Sequence, residues 1–386
     1  MPDLSSRLCW RSSGRVRLCL PWLLLGLGLA VPCRGENLAA AAPADPPEPQ
    51  EPYYFYYHRD YGSDALIHPL RLIINGGYGI MQLENRHNRP FDIDYAQGAR
   101  NVWRNLRDPF TAIEARGWGK FFSSEIIPVS FNSGSAQYWP NYTQHLLGGG
   151  MSYRMMAEWF RWHEWSHPKL WASATIFVYH VLNEIVENDK KSGLSTDPIA
   201  DLYIFDPASI WLFSSDSVCR FFSETMHMAD WSYQPMYDPD HRTLENNGQN
   251  FALKWNLPGS ARWSLFYHYG THGELGLSRT WPDGDCLSAG VGLKAKNLVD
   301  IDAISRTVDL AVSAGIFYDR NNSLLASLLW AQSKDYRLRL NVYPGLIRWG
   351  PLSPSLFMTL NEQGKLFAGL SFDWLLWLPV GCASRF

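Results

Sequence analysis

The feature that most constrains this chain is a period-two alternation of apolar and polar residues through its C-terminal half. From Thr307 to Tyr318 the even positions are all apolar or aromatic, whereas most odd positions are small or polar. The run Cys286–Lys296 alternates in the same way. Successive side chains of a β-strand point to opposite faces, so these runs predict strands with one apolar and one polar face.

Similar runs follow one another with short hairpin signals such as Pro258-Gly259 and Asp283-Gly284 between them. They cover Phe251–Leu257, Ala261–Tyr269, Leu275–Thr280, Leu324–Ser333, Tyr336–Val342, Leu356–Leu360 and Leu366–Leu378. Short connections can join antiparallel strands but not parallel ones. We therefore expect an up-and-down meander over residues 249–386, with one more strand at Leu70–Leu83, or about ten strands in all.

Alternation alone does not say which face meets water, so two classes fit. A soluble sandwich or lipocalin-like barrel, including a soluble periplasmic β-protein, gives the same period. Three features favour an antiparallel outer-membrane-type β-barrel: a secretory signal, the strand length, and the low charge on the face that would be the outer one. Aromatic residues also lie near the strand ends, where interfacial girdles would be. The mean hydropathy of −0.22 does not fit a bundle of apolar membrane helices. The net charge of −3 gives no support for a nucleic-acid partner.

The N-terminus has the pattern of a secretory signal. Residues 1–35 contain arginines followed by the apolar run Leu18–Val31, which is short for a membrane-spanning helix. Pro32 directly before Cys33 argues against lipidation at that cysteine. Residues 36–66 are predicted to form an Ala/Pro-rich tether. The expected location is the cell outer membrane, with membrane lipid as a partner; a periplasmic or lipid ligand and the oligomeric state stay open.

The middle of the chain changes to a helical period. Residues 67–139 are expected to hold strand and loops, 140–222 an inserted segment of about three helices, and 223–248 a loop. The three helices are predicted at Thr143–Trp162, at Pro168–Asn188 and from Asp197-Pro198 onward. The predicted fold is thus mainly β, with a helical segment inserted among the strands.

Polar residues on these helices form a candidate site. His180, Glu184 and Glu187 have i, i+4 and i+7 spacing and share one helix face, and His145 and Asp201 lie on the flanking helices. Carboxylates near histidines in an apolar setting are often catalytic because their pKa values can be tuned. The alternative is a structural hydrogen-bond network that joins three helices.

The same block carries a resemblance. Its order of residues is Asn141-Tyr142-x-x-His145, then Gly149 and Tyr153, then Glu184 and Glu187, then Asp201-Leu202. This order resembles an uncharacterised bacterial envelope family with an N-Y-x-x-H start, a small-residue helix, a paired-Glu helix and an Asp-Leu step. The resemblance covers about 80 residues and implies an outer-membrane-associated chain of helices and strands, without implying an activity.

A second motif suggests a metal. His163-Glu164-Trp165-Ser166-His167 matches H-E-x-x-H, in which two histidines on one helix turn bind zinc, and Glu184 could supply a third ligand. Pro168 disfavours helical geometry at His167, which would separate the two histidines. We therefore expect no cofactor, with zinc as the alternative.

These expectations combine into one hypothesis and one alternative. The hypothesis is an outer-membrane β-barrel protein with a structural, binding or transport role in the envelope. The alternative is a membrane-associated hydrolase that uses the His/Glu/Asp cluster or the H-E-x-x-H zinc site. The sequence names no substrate for either.

Overall fold

A computed structural model describes residues 51–84, 86–127, 139–190, 193–300, 306–350, 352–372 and 380–386. Pro52–Phe386 form one compact unit, in which helices come first and strands second. The predicted signal peptide, residues 1–35, and residues 36–50 of the predicted tether lie outside the described residues.

The helical part is larger than predicted. Its α-helices are α1 Pro69–Gly77, α2 Tyr95–Arg107, α3 Pro109–Arg116, α4 Trp118–Phe121, α5 Gly149–Trp162, α6 Pro168–Glu187, α7 Asp197–Ala200, α8 Asp206–Phe213 and α9 Asp216–Arg220. Short 3₁₀ turns cover Ser63–Leu66, Gly79–Gln82 and Pro90–Asp92, and π-helical segments cover Phe122–Ile126, Trp139–Gly148, Asp201–Phe205 and Phe221–Thr225. Within the described residues, we find no helix that combines the length and the apolarity needed to cross a membrane.

The end of the predicted tether is packed rather than free, which corrects that prediction. Tyr54 and Phe55 are buried in the main helical core. The carboxylate of Glu158 on α5 accepts the backbone N–H groups of Tyr54, Phe55 and Tyr56 at 2.9, 2.8 and 2.9 Å. A buried carboxylate with three such donors anchors the extended backbone, so residues 53–66 belong to the folded unit.

The strand predicted at Leu70–Leu83 is wrong, because this segment forms α1 and a 3₁₀ turn. Pro69 occupies the first helical turn, and the side chain of His68 accepts the N–H of Leu70 at 3.2 Å. Proline and a capping side chain start a helix here. The apolar spacing that suggested a strand also fits a helix, in which Leu72 and Gly76 lie one turn apart on the buried face.

Close helix packing depends on glycine. A Cβ at Gly150 in α5 would lie 2.2 Å from the ring of Phe213 in α8. Gly76 in α1 has the same relation to Tyr179 in α6. The Gly148-Gly149-Gly150 run therefore lets α5 approach its neighbours, and the methionines of α5 complete the core that these helices share.

Within the described residues, the strands form one 13-stranded sheet. They are β1 Ala229–Asp230, β2 Met236–Asp238, β3 Thr243–Glu245, β4 Phe251–Asn256, β5 Trp263–Tyr269, β6 His272–Thr280, β7 Asp285–Asp300, β8 Arg306–Arg320, β9 Ser323–Ala331, β10 Leu338–Val342, β11 Ser355–Leu360, β12 Leu366–Ser371 and β13 Gly381–Arg385. Their order is β1-β4-β5-β6-β7-β8-β9-β10-β11-β12-β13-β2-β3. The pairing is antiparallel except between β13 and β2, and this order does not return to its start.

The predicted meander is confirmed as sequential antiparallel strands from β4 to β13. Two boundaries differ. The predicted loop 223–248 contains β1, β2 and β3, and the helical segment precedes every described strand instead of being inserted among them. The last described strand, β13, follows Pro379, where no strand was predicted, and part of the predicted run Leu366–Leu378 (residues 373–378) lies outside the described residues.

The two faces of the sheet are the reverse of those in a soluble protein. The apolar face is exposed: Val291 is 68% exposed, Leu275 54% and Ile316 51%. The polar face is buried, with Lys254 3% exposed and Glu274 fully covered. The alternation predicted from the sequence is thus present, with its polar side turned inward.

The sheet curls tightly around that polar face. Nζ of Lys254 on β4 lies 2.6 Å from Oδ2 of Asp319 on β8. These strands are four positions apart in the sheet order, about 19 Å if the sheet were flat. Gly276, Gly290 and Gly315 lie opposite one another on three neighbouring strands and leave room for this curvature.

Candidate functional site

The candidate site lies where the helical part meets one end of the sheet. A cavity of about 150 Å³ opens there between α6 and the turn that joins β5 to β6. Its lining includes His145, His180, Glu187 and Asp201, all of them candidates from the sequence. A space of this size admits a few waters or a small polar group, and it is smaller than sites that enclose a drug-sized ligand.

His145 lies in the π-helical segment that precedes α5. Its Nδ1 is 3.3 Å from Nε2 of His180, and its Nε2 is 3.3 Å from Oδ2 of Asp201. Burial and the neighbouring His180 hold the pKa of His145 well below its usual value. The ring is therefore neutral at physiological pH, with one nitrogen able to accept a proton or a metal.

His180 on α6 reaches a residue that sequence analysis missed. Its Nδ1 contacts Oδ1 of Asp206, the first residue of α8, and both side chains are buried. Asp206-Pro207 repeats the Asp197-Pro198 pattern that marked the third predicted helix. This repeated Asp-Pro pattern could have predicted from the sequence that a helix starts at Asp206 and that an acidic side chain lies at its first position.

The histidine and carboxylate side chains of this region include two close groups. One ligand atom from each of His145, His180 and Asp206 lies within 4.8 Å of the others. Glu184, Glu187 and Asp197 form a second group by the same measure. The first group, with two histidines and a carboxylate, or the second, with three carboxylates, could hold a metal ion.

Asp201 lies beside both groups. It is buried and contacts His145 through Oδ2. Burial raises its pKa well above the usual value, and the charges of Asp197 and Glu184 act in the same direction. A carboxyl group of this kind stays protonated to a higher pH than an ordinary aspartate.

The H-E-x-x-H motif does not form a zincin-like helix turn. His163 ends α5, and Glu164 and His167 have left-handed backbone angles of 58° and 56° for φ. Pro168 then starts α6, as its position predicted. The zinc alternative on His163, His167 and Glu184 is therefore wrong in its geometry, because two histidines bind one ion from a shared helix face only when the helix is continuous.

A larger cavity of about 750 Å³ lies at the inner face of the sheet. Basic side chains are frequent in its lining: Arg86, Lys334, Arg339, Lys365 and Arg385. No residue of this lining was a candidate from the sequence, because its members come from distant strands and turns.

Comparison with known proteins gives no relative: no family model, no curated protein and no solved structure matches this chain.

Proposed function

We propose that this chain is an outer-membrane β-barrel protein of the bacterial envelope with a structural, binding or transport role. One observation carries the proposal: strands β4–β12 expose apolar side chains and bury charged ones. In water, exposing Val291, Leu275 and Ile316 while burying Lys254 and Glu274 would be unfavourable on both faces. In a bilayer the apolar face contacts lipid and the polar face lines the interior, which is the pattern of membrane barrels.

The strand register supports closure of the sheet. Ala229 pairs with Ala252, and Met236 pairs with Glu245. Position 236 lies seven residues after 229, and position 245 lies seven residues before 252. The pair β1–β4 and the pair β2–β3 therefore have the register of a single antiparallel ladder.

Backbone hydrogen bonds continue this ladder between the two pairs. The N–H of Trp231 donates to Asn250 at 2.8 Å, and the N–H of Tyr233 donates to Gly248 at 3.0 Å. Residues 229–238 therefore behave as one extended strand. Its first part lies beside β4 and its second part beside β13, so the same strand joins both ends of the meander.

Lipid is the proposed partner of the outer face. A groove of about 780 Å³ crosses β5–β10 on that face, and its lining is dominated by apolar side chains. Trp255, Trp263, Trp281 and Trp349 are exposed near strand ends. Tryptophan is enriched at membrane interfaces, and the resemblance of the helical block to an envelope family points to the same compartment.

A membrane-associated hydrolase is the second candidate function. It is favoured by the buried, neutral His145 beside Asp201 at a small polar cavity. This arrangement could move a proton to or from a bound group. The cavity admits only the reacting group of a substrate, so any larger part would lie outside it.

Fractionation and gel migration test the membrane proposal. The full chain, expressed in a Gram-negative bacterium, is expected in the outer-membrane fraction, and its migration should change between unheated and boiled samples. A chain that stays in the soluble fraction and migrates identically in both samples would contradict the proposal.

A further inference from the structure

The group formed by His145, His180 and Asp206 has the donors of a transition-metal site. Two imidazoles and one carboxylate suit zinc and related divalent ions. The three side chains come from separate elements, namely the π-helical segment Trp139–Gly148, α6 and α8. Their ligand atoms nevertheless lie within 4.8 Å of one another.

The spacing of the two imidazoles fits one ion. In a tetrahedral zinc site with bonds of about 2.0 Å, neighbouring ligand atoms lie about 3.3 Å apart. Nδ1 of His145 and Nε2 of His180 are separated by 3.3 Å. His145 would bind through Nδ1, because its Nε2 faces Asp201.

Asp201 supplies the outer contact that metal-binding histidines usually have. Such histidines donate the proton of their second nitrogen to a carboxylate or carbonyl, which fixes the ring and its tautomer. Oδ2 of Asp201 is 3.3 Å from Nε2 of His145 and is itself buried. This contact would hold His145 with Nδ1 directed at the ion.

Asp206 supports a cation at this place. It is only 2% exposed; its Oδ1 contacts Nδ1 of His180, and among the described residues neither of its oxygens accepts a hydrogen bond of good geometry. A buried carboxylate without hydrogen bonds is costly, and it is normally compensated by a positive partner. A divalent ion bound at Oδ1 or Oδ2 provides that partner.

We infer that His145, His180 and Asp206 bind one divalent transition-metal ion of the zinc class, with a coordination position open to the neighbouring cavity. Three protein ligands and one open position are typical of catalytic zinc sites, whereas structural sites use four protein ligands. The cavity of about 150 Å³ gives that position room for water or a small oxygen donor. The site is separate from the H-E-x-x-H motif.

Metal analysis of the purified full chain in detergent tests this inference. The protein carries no affinity tag that binds metal; it is treated with a chelator, loaded with zinc and freed of excess zinc before elemental analysis. One equivalent of zinc per chain is expected. Folded protein that retains less than a tenth of an equivalent after loading would overturn the inference.

Substitutions locate the ion. His180→Ala and the milder Asp206→Asn are each expected to reduce retained zinc at least tenfold. His163→Ala, in the H-E-x-x-H turn, is the matched control and should retain one equivalent. Loss of zinc from His163→Ala, or full retention by Asp206→Asn and His180→Ala together, would place the ion elsewhere and reject the site.

A folding control accompanies each variant. Circular dichroism and heat-modifiable migration show whether a variant is folded, and if His180→Ala is unfolded the folded Asp206→Asn variant decides the outcome. Membrane location does not enter this measurement, so a negative zinc result rejects the metal site and leaves the barrel proposal standing. Conversely, a soluble chain that binds zinc would reject the barrel proposal and support the metal site.

Discussion

The ion pair between Lys254 and Asp319 links β4 to β8 across the inner face of the sheet. Nζ lies 2.6 Å from Oδ2, and the two side chains are 4% and 0% exposed. Lys254→Met keeps most of the side-chain volume but removes the positive partner of Asp319, whose carboxylate keeps only neutral donors among the described residues: the N–H of Asn322 at 3.1 Å and the thiol of Cys286. Breaking a buried pair by removing one partner typically costs about 3–5 kcal/mol, and we expect a loss in that range.

An exposed ion pair of the same length is the matched control. Arg337 and Glu362 also approach to 2.6 Å, but their side chains are 39% and 47% exposed. Arg337→Met should cost at most about 1 kcal/mol, since water screens such pairs. The double variant Lys254→Met, Asp319→Asn should recover part of the loss of Lys254→Met, because it removes the unpaired charge.

The assay is urea unfolding of the folded protein in lipid vesicles, followed by tryptophan fluorescence. The expected order of stability is wild type, then Arg337→Met, then the double variant, then Lys254→Met. Equal losses for Lys254→Met and Arg337→Met would refute a sheet that curls until β4 meets β8. A double variant that is no more stable than Lys254→Met would contradict the ion pair as well.

Three further predictions concern the N-terminal segment and the helix packing. Burial raises the pKa of Asp64 from 3.8 to about 6 despite its ion pair with Arg59. The contribution of Asp64 to stability is therefore largest below pH 3.8 and falls by up to about 3 kcal/mol as the pH rises through about 6. The unfolding free energy of Asp64→Asn should lack this part of the decline, and an identical decline in both proteins would contradict the assignment. Glu158→Ala should cost several kcal/mol, because it leaves three buried N–H groups without an acceptor at about 1–3 kcal/mol each. Limited proteolysis of this variant should then cut within residues 53–66. Resistance to the protease equal to that of the wild type would contradict the anchoring role of Glu158. Gly150→Ala should cost about 1–3 kcal/mol, because the added methyl group clashes with Phe213. Gly119→Ala, where a Cβ meets nothing within 4 Å, is the control and should not be destabilising. Equal melting temperatures for the two variants would contradict close packing at Gly150.

The strands of the C-terminal half were predictable because their signal is local. Alternation along β7 and β8, with short turns between strands, determines strand positions without knowledge of the rest of the chain. Which face of the sheet is buried was not predictable from the sequence. Lys294 is buried and Leu293 is exposed, but the opposite arrangement would give the same period-two pattern.

Missed and wrong elements lack such a local signal. The strands β1 and β13 are short, and Gly381–Arg385 contains no β-branched or aromatic residue. In α1, the apolar spacing fits both the strand period of two and the helix period of about 3.6. The cap at His68 and the proline at position 69 favour the helix. Capping outweighs an ambiguous pattern because it satisfies backbone groups that a strand end would leave to water.

The candidate site was predictable in composition but not in grouping. His180 and Glu184 share a helix face from their spacing alone. The contact between His145 and His180 depends on how α5 and α6 pack, and the contact with Asp206 depends on α8. Those are tertiary relations over 35 and 26 residues of sequence, which periodicity does not encode.

The most direct test of the membrane account places a charge on the outer face of the sheet. Val291 lies at the centre of β7, paired with Leu275 and Ala314, and is 68% exposed. Arginine on a lipid-facing barrel position near the bilayer centre costs about 2–4 kcal/mol, whereas an exposed position in water tolerates it within about 0.5 kcal/mol. Phe110 on α3, which is 62% exposed, is the matched control.

The measurement is the unfolding free energy of Val291→Arg and Phe110→Arg in lipid vesicles. The account predicts a loss of about 2–4 kcal/mol for Val291→Arg and of less than about 1 kcal/mol for Phe110→Arg. Equal, small effects of the two substitutions would mean that Val291 faces water, and would contradict a lipid-facing sheet.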